Sequence, residues 1–296
     1  MKQIRIFLLE MVILLLCVNI SLHALELEAV AGAGNMAFDP ESEQALDNRQ
    51  FAPNYFALGH ISLKGKYSDM INFSIGFEHD AVLRSRILGT VGLNLDHLIF
   101  SVGPFFGAFN TPEQPLNAGI TGALRLEYPG IIFGTISGSS TLGSQTSFPG
   151  DYTQSAGEVS LGFWLPNVIP VLSINAKSFT KRIHETLLVR DELIRYQFSA
   201  DVFSKNVPYT IRVDMGYESL KRSYTPGSAD KTETDELKSL YLGFEGTWQV
   251  STPLKLILGL EMPVFSWAEQ PMKSPARDSA LFQFHAGAAW KFGGKE

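Results

Sequence analysis

The chain has 296 residues, a net charge of −6, 45% hydrophobic residues, 26 glycines, 21 phenylalanines and nine tyrosines. An acidic balance without basic runs offers nucleic acid no electrostatic footprint, and beyond residue 24 no apolar run approaches 18 residues, which excludes a helical membrane protein. The single cysteine, Cys17, sits near the N-terminus, so the rest of the chain forms no disulfide, no thiolate metal site and no cysteine nucleophile.

The first element is a leader. Lys2 and Arg5 precede an apolar stretch from Ile6 to Ile20, and Leu22-His23-Ala24 supplies small-residue cleavage chemistry before Leu25. The stretch carries Glu10 and is shorter than the roughly 20 residues a spanning helix needs. Leu14-Leu15-Leu16 lacks the small residue that a lipoprotein site places before its cysteine. Residues 1–24 are therefore expected to be a cleaved signal and 25–296 a single domain.

From Leu25 onward the chain reads as segments of about ten residues alternating with period two, the spacing that sends every second side chain to one sheet face. Clear examples are Tyr55-Ala57-Gly59-Ile61-Leu63, Ile71-Phe73-Ile75-Phe77, Ile120-Gly122-Leu124-Leu126-Tyr128, Val159-Leu161-Phe163-Leu165 and Ile194-Tyr196-Phe198-Ala200-Val202. Ile211-Val213-Met215-Tyr217, Leu240-Leu242-Phe244-Gly246-Trp248, Leu254-Leu256-Leu258-Leu260-Met262 and Phe282-Phe284-Ala286-Ala288-Trp290-Phe292 continue the series. Weaker segments begin near Leu25, Ile87, Leu98, Ile131 and Val171, for a total of fourteen, or twelve if the hairpin-sized weak segments near Ile87 and Val171 fail.

Tight turns at Ser68-Asp69, Asp96-His97, Pro129-Gly130, Pro166 to Pro170, Ser204 to Pro208 and Ser251 to Pro253 alternate with polar loops near 35–54, 80–86, 109–118, 139–155, 180–193, 219–236 and 266–279. Short connections on one side and longer ones on the other is the pattern of transmembrane barrels. A soluble sandwich also alternates. Here, however, the apolar face of these strands carries no Asp, Glu, Lys or Arg, and Tyr67, Tyr128, Phe163, Trp248 and Phe292 gather where strands meet the tight turns, as an interfacial girdle would. The fold expected is all-β: one antiparallel up-and-down transmembrane barrel of about 14 strands.

The final strand, Leu281 to Phe292, ends Ala-Trp-Lys-Phe, with Gly293 to Glu296 beyond it. With the leader and the cysteine-free domain, this resembles the outer-membrane β-barrel proteins of diderm bacteria, and the opening Leu-Glu-Leu-Glu-Ala is similar in texture to spirochaete members. The resemblance implies residence in the bacterial outer membrane, with outer-membrane lipids, the barrel-assembly machinery and periplasmic chaperones as partners. The four residues after Phe292 depart from the family's terminal signal.

Opposite the apolar face lie the charges: Lys64, Lys66, Glu78, Arg125, Glu127, Glu158, Lys177, Arg195, Asp201, Arg212, Asp214, Glu245, Lys255 and Glu261. Charges in an interior are either hydrated or paired. They line a pore of both signs or form a network that staples the barrel. Fourteen strands fall between a filled interior and an open channel. The expectation is a narrow diffusion channel for small hydrophilic solutes, partly constricted by Arg125, Arg195 and Arg212 reaching across toward carboxylates and without strong ion selectivity.

Leu98 to Phe109 is apolar on both faces with Pro104 inside it, so Phe100, Pro104, Phe105 and Phe106 are the candidate lining of a hydrophobic pocket. That alternative resembles the long-chain fatty-acid channels, which carry an N-terminal plug, whereas Leu25 to Gly34 already alternates as a strand. A third reading makes the barrel a scaffold whose loops at 35–54, 139–155 and 219–236 bind surface partners, with Lys221, Arg222, Lys231, Glu233, Asp235 and Glu236 among the exposed charges.

No enzyme is expected. His184-Glu185 lacks the second histidine of a zinc-binding HExxH, Gly138-Ser139-Ser140-Thr141-Leu142 lacks the closing glycine of a nucleophile elbow, and a Ser-His pair near the rim stays open. Asp39, Glu41, Glu43 and Asp47 lack calcium-loop spacing, and Gly32-Ala33-Gly34 precedes no helix pattern. Neither cofactor nor metal is anticipated.

Overall fold

The computed structural model describes residues 24–38, 54–143, 146–226, 232–269 and 280–292. The expected signal up to residue 23, the acidic positions Asp39, Glu41, Glu43 and Asp47, Lys231 and the run Gly293 to Glu296 lie outside the described residues.

Fourteen strands follow in chain order: β1 (Ala24–Gly34), β2 (Phe56–Lys66), β3 (Ile71–Asp80), β4 (Arg84–Leu95), β5 (Leu98–Ala108), β6 (Leu116–Tyr128) and β7 (Ile132–Thr141). Then come β8 (Tyr152–Phe163), β9 (Val168–His184), β10 (Leu187–Phe203), β11 (Tyr209–Pro226), β12 (Glu233–Gln249), β13 (Leu254–Glu269) and β14 (Gln283–Phe292). Each pairs antiparallel with its chain neighbours, and β1 pairs with β14, Leu25 opposite Phe292, to close the barrel. The twelve-strand alternative is set aside, because β4 and β9 are laddered on both sides.

The outward face explains why the sequence alternates. Ile61, Val91, Leu126, Ile136, Leu172, Phe244 and Leu258 all stand exposed on it. A patch this continuous has no counterpart on a soluble monomer and needs hydrocarbon against it. Tyr67, Tyr128, Phe163, Trp248 and Phe292 are exposed at the short-turn rim, as anticipated, joined by Tyr209 and Trp290. At the other rim Tyr196, Tyr217, Trp267 and Phe265 form a chain of aromatic contacts with ring centroids 5.5 to 6.3 Å apart. From Tyr209 to Tyr217 along β11 the apolar band covers about 26 Å of strand at roughly 3.3 Å per residue, matching the roughly nine residues with which a tilted strand crosses the hydrocarbon layer. The tight turns use residues that tolerate left-handed backbone: Asp96, Gly130 and Asn167 have φ of 37°, 76° and 65°.

Three expected loops are corrected. Residues 180–193 are almost entirely ladder, with only Glu185 and Thr186 between β9 and β10. Within 219–236, β11 continues to Pro226 and β12 begins at Glu233. Within 139–155, β7 runs to Thr141 and β8 starts at Tyr152. The physical reason is an inversion of polarity above the aromatic rim. There Leu193, Leu220 and Leu237 point inward while Arg190, Glu192, Lys221, Glu236 and Lys238 point outward. The pleat continues, but its two faces exchange solvents, so the pattern that marked the membrane strands disappears.

Candidate functional site

All thirteen residues proposed to line a pore, together with Glu78, share the inward face by ladder register. Most are bound to close neighbours. Arg125 Nε donates to Glu127 Oε2 on its own strand at 2.9 Å and stacks over Phe133 at 4.1 Å. Arg212 grips both oxygens of Asp201, directly opposite on β10, at 2.7 and 3.1 Å. Arg195 donates to Glu218 on β11 at 2.5 and 3.0 Å and extends to both oxygens of Glu261 on β13 at 2.7 and 2.9 Å. The expected constriction by three arginines is thus corrected. Cross-strand partners sit about 5 Å apart, so these three guanidinium groups meet carboxylates on the wall before they can cross the lumen, and of the three Arg195 reaches farthest, to Glu261 three strands away.

What crosses the lumen is the tip of the β3–β4 hairpin. Asp80 Oδ1 accepts the backbone N–H groups of Val82 and Leu83 at 2.8 and 2.6 Å, which folds the tip tightly. Asp80 Oδ2 accepts Lys177 Nζ from β9 at 2.9 Å, from six strands away around the ring. Arg84 sits in left-handed backbone at φ 61°. Its guanidinium lies 3.6 Å from Asp191 on β10 and over the Phe179 ring at 5.7 Å. From β8, the Gln154 side-chain amide donates to the Leu83 carbonyl.

Above these contacts the mouth is packed. Phe38, Val82, Leu220, Leu237 and Leu281 form a buried cluster with Met36, Leu193 and Ala268 against it. Arg222, wholly buried, is held bidentate by Asp191 at 2.6 and 2.7 Å with its Cζ 4.9 Å from the Phe38 ring. Asn35 ties the strand end below Phe38 to the segment leading into β14 by accepting the Phe282 N–H at 2.8 Å and donating to the Ala280 carbonyl at 2.7 Å.

Below the packed mouth lies a chamber of about 540 Å³, bordered by His60, Asp80, Glu158, Lys177, Arg195 and Glu261 among others. Toward the short-turn end follow Arg212, Asp201, Glu245 and Lys255, which border a second space of about 380 Å³. Glu28 accepts His60 Nε2 at 2.5 Å, and Glu245 pairs with His285 at 3.1 Å. Lys64 lies 3.8 Å from the other Glu28 oxygen, and Lys66 is exposed at the rim.

Sequence reasoning passed over Asp80, Arg84, Gln154, Asp191 and Glu218 as parts of the site, and placed Arg222 in an exposed loop. Asp80, Arg84, Gln154 and Asp191 fell in segments assigned to loops. A signal existed in Asp80-Ala81-Val82-Leu83, an aspartate that caps its own turn followed by apolar residues at a supposedly solvated tip.

The four residues of the alternative hydrophobic pocket are not brought together. Phe105 points inward and is fully buried, whereas Phe100, Pro104 and Phe106 share the outward face. Ser139 lies in β7 with its hydroxyl 3.2 Å from Arg86 Nη1 rather than in a loop. A Ser-His contact does occur near the rim, His79 Nδ1 to Ser85 Oγ at 2.8 Å, but among the described residues no carboxylate hydrogen-bonds that ring. Among the described residues no three His, Cys, Asp or Glu side chains converge as metal ligands.

No protein-family model matches the chain, and no curated sequence does. Among solved structures it is similar to the outer-membrane expressed OmpT of Vibrio cholerae, at 8% identity over 92% of this chain and 97% of that one, with a TM-score of 0.44. An outer-membrane channel of Pseudomonas putida is similar at 9% identity over 91% and 95%, TM-score 0.49. An anion-selective porin of Comamonas acidovorans is similar at 9% over 92% and 99%, TM-score 0.41. Likenesses this distant carry no residue across.

Proposed function

We propose that the chain is a bacterial outer-membrane channel that passes small hydrophilic solutes along a narrow path, its outer mouth held shut by the Asp80–Arg84 tip. In this reading the short turns face the periplasm. The supporting observation is a chamber walled by ionised side chains inside a barrel whose outside is apolar. Burying that many charges is tolerable only when they are paired or wet. Pairing is incomplete around the chamber, because Glu158 borders it with no partner among the described residues. The working partners are outer-membrane lipid on the outside and solute within.

Refolded protein in planar bilayers tests the reading. Discrete current steps are expected, brief in the wild type and longer when the tip is released by Lys177→Met. A barrel that stays sealed at every voltage in both forms overturns it.

A further inference from the structure

The charges around the chamber do not cancel. Arg86 answers Glu78 at 2.7 to 2.9 Å, Lys177 answers Asp80, and Arg212 answers Asp201. Arg195 is the one cation among the described residues that ion-pairs with Glu218 and Glu261, and the Glu158 side chain has no ion pair or hydrogen bond among the described residues. Two negative charges are left over. They are not adjacent. In the ladder Glu158 stands opposite Asn175, Asn175 opposite Arg195 and Arg195 opposite Glu218. Three inter-strand steps of about 4.8 Å put the two excess charges roughly 14 Å apart along the wall.

The unanswered buried polar atoms of that row are all acceptors. Glu218 has a side chain only 1% exposed, borders the chamber, and its Oε1 has no hydrogen-bond partner among the described residues, while Oε2 takes Arg195. Asn175 Oδ1, in the same row, also has none among them. Unanswered acceptors call for N–H donors. Carboxylates spread along a wall suit a long cation better than a point ion.

We propose that the chamber is a site for elongated, multiply protonated amines, with Glu158 and Asn175 holding one ammonium and the Glu218–Glu261 pair facing another. Admission of such solutes rests on the channel reading above, whereas binding does not.

The test uses the full refolded barrel with spermidine, a long polycation, and methylammonium, a short monocation. In bilayers under a KCl gradient the wild type is expected to favour cations, and spermidine to reduce its current at concentrations at least about tenfold lower than methylammonium, counting a second ion pair at about 1.4 kcal/mol. Glu158→Gln should raise the spermidine needed by about fivefold and move the reversal potential toward zero. Glu192→Gln, on the outer surface, should change neither. Equal potency of the two amines, or an unaltered Glu158→Gln variant, overturns the site. If no current flows, the channel reading falls, and calorimetric titration of spermidine into the detergent-solubilised barrel decides the amine site alone. Should Glu158→Gln fail to fold, judged by heat-dependent gel mobility, Asn175→Ala takes its place with the same expected direction.

Discussion

Replacing Lys177 by Met should open the outer mouth. The substitution keeps the aliphatic length but removes the ammonium that Asp80 Oδ2 accepts at 2.9 Å. Both partners are about a quarter exposed, at 27% and 29%, so the interaction is neither a free surface pair nor a dry one. A charge-assisted hydrogen bond in that setting contributes about 1 to 2 kcal/mol. The carboxylate it leaves behind would then prefer water to its present place, which adds to the same direction. Losing about 1 to 2 kcal/mol changes a two-state ratio by roughly 5- to 30-fold. The fraction of time spent open, read from single-channel recordings, should therefore rise by that factor at fixed voltage. Asp80→Asn separates the two jobs of this side chain. It retains an oxygen for the Val82 and Leu83 N–H groups while weakening the grip of Lys177, so it should give a similar rise without loosening the turn. An open fraction unchanged or lowered in both variants would refute the view that this pair holds the mouth shut.

Arg222→Met strips the bidentate partner from buried Asp191, and should lower unfolding stability in urea titrations of the lipid-reconstituted barrel by about 3 to 5 kcal/mol. Phe244→Arg places a cation midway along the outward apolar band of β12, at a cost of about 2 to 4 kcal/mol in the same assay. Thr247→Arg, three residues on but facing the lumen, should cost little. Gly216→Ala would bring a methyl group to 2.1 Å from the Tyr196 carbonyl oxygen. That backbone cannot give way without breaking the β10–β11 ladder, so a loss of about 1 to 3 kcal/mol is expected, visible as slower folding into vesicles and a lower urea midpoint.

The barrel was legible wherever one side of a strand met lipid and the other met charge. Leu254 to Met262 and Ile211 to Tyr217 announce their facing directly. Legibility failed where the surroundings changed along one strand. Leu193 and Ile194 both belong to β10, but inward is the apolar side at Leu193 and outward is the apolar side at Ile194. A reader following one phase takes that exchange for the strand's end, and so residues 180–193 read as a loop. The candidate site was legible as a set of inward charges and illegible as a set of pairs. Alternation fixes the face of Arg195 or Lys177, whereas the choice of Glu218 or Asp80 as partner depends on ladder register and on a hairpin tip folded inward. Neither is written in local periodicity. The same limit explains Phe105, whose inward turn away from Phe100, Pro104 and Phe106 follows from the pleat once the strand is known to continue through Pro104.

The pairing of Leu25 with Phe292 has a consequence for how such an object comes into being. The two strands that shut the ring are the first and last of it, so the seam joins positions almost the whole chain apart, and seams of such long separation are slow to find. Until they meet, β1 and β14 each offer a bare row of peptide groups that hydrocarbon cannot satisfy. A half-made ring has no resting place in the bilayer. Insertion and completion must then be one event, or the open edges must be shielded by something else until the final strand arrives, and a chain lacking β14 should be found outside the membrane rather than within it as a smaller barrel.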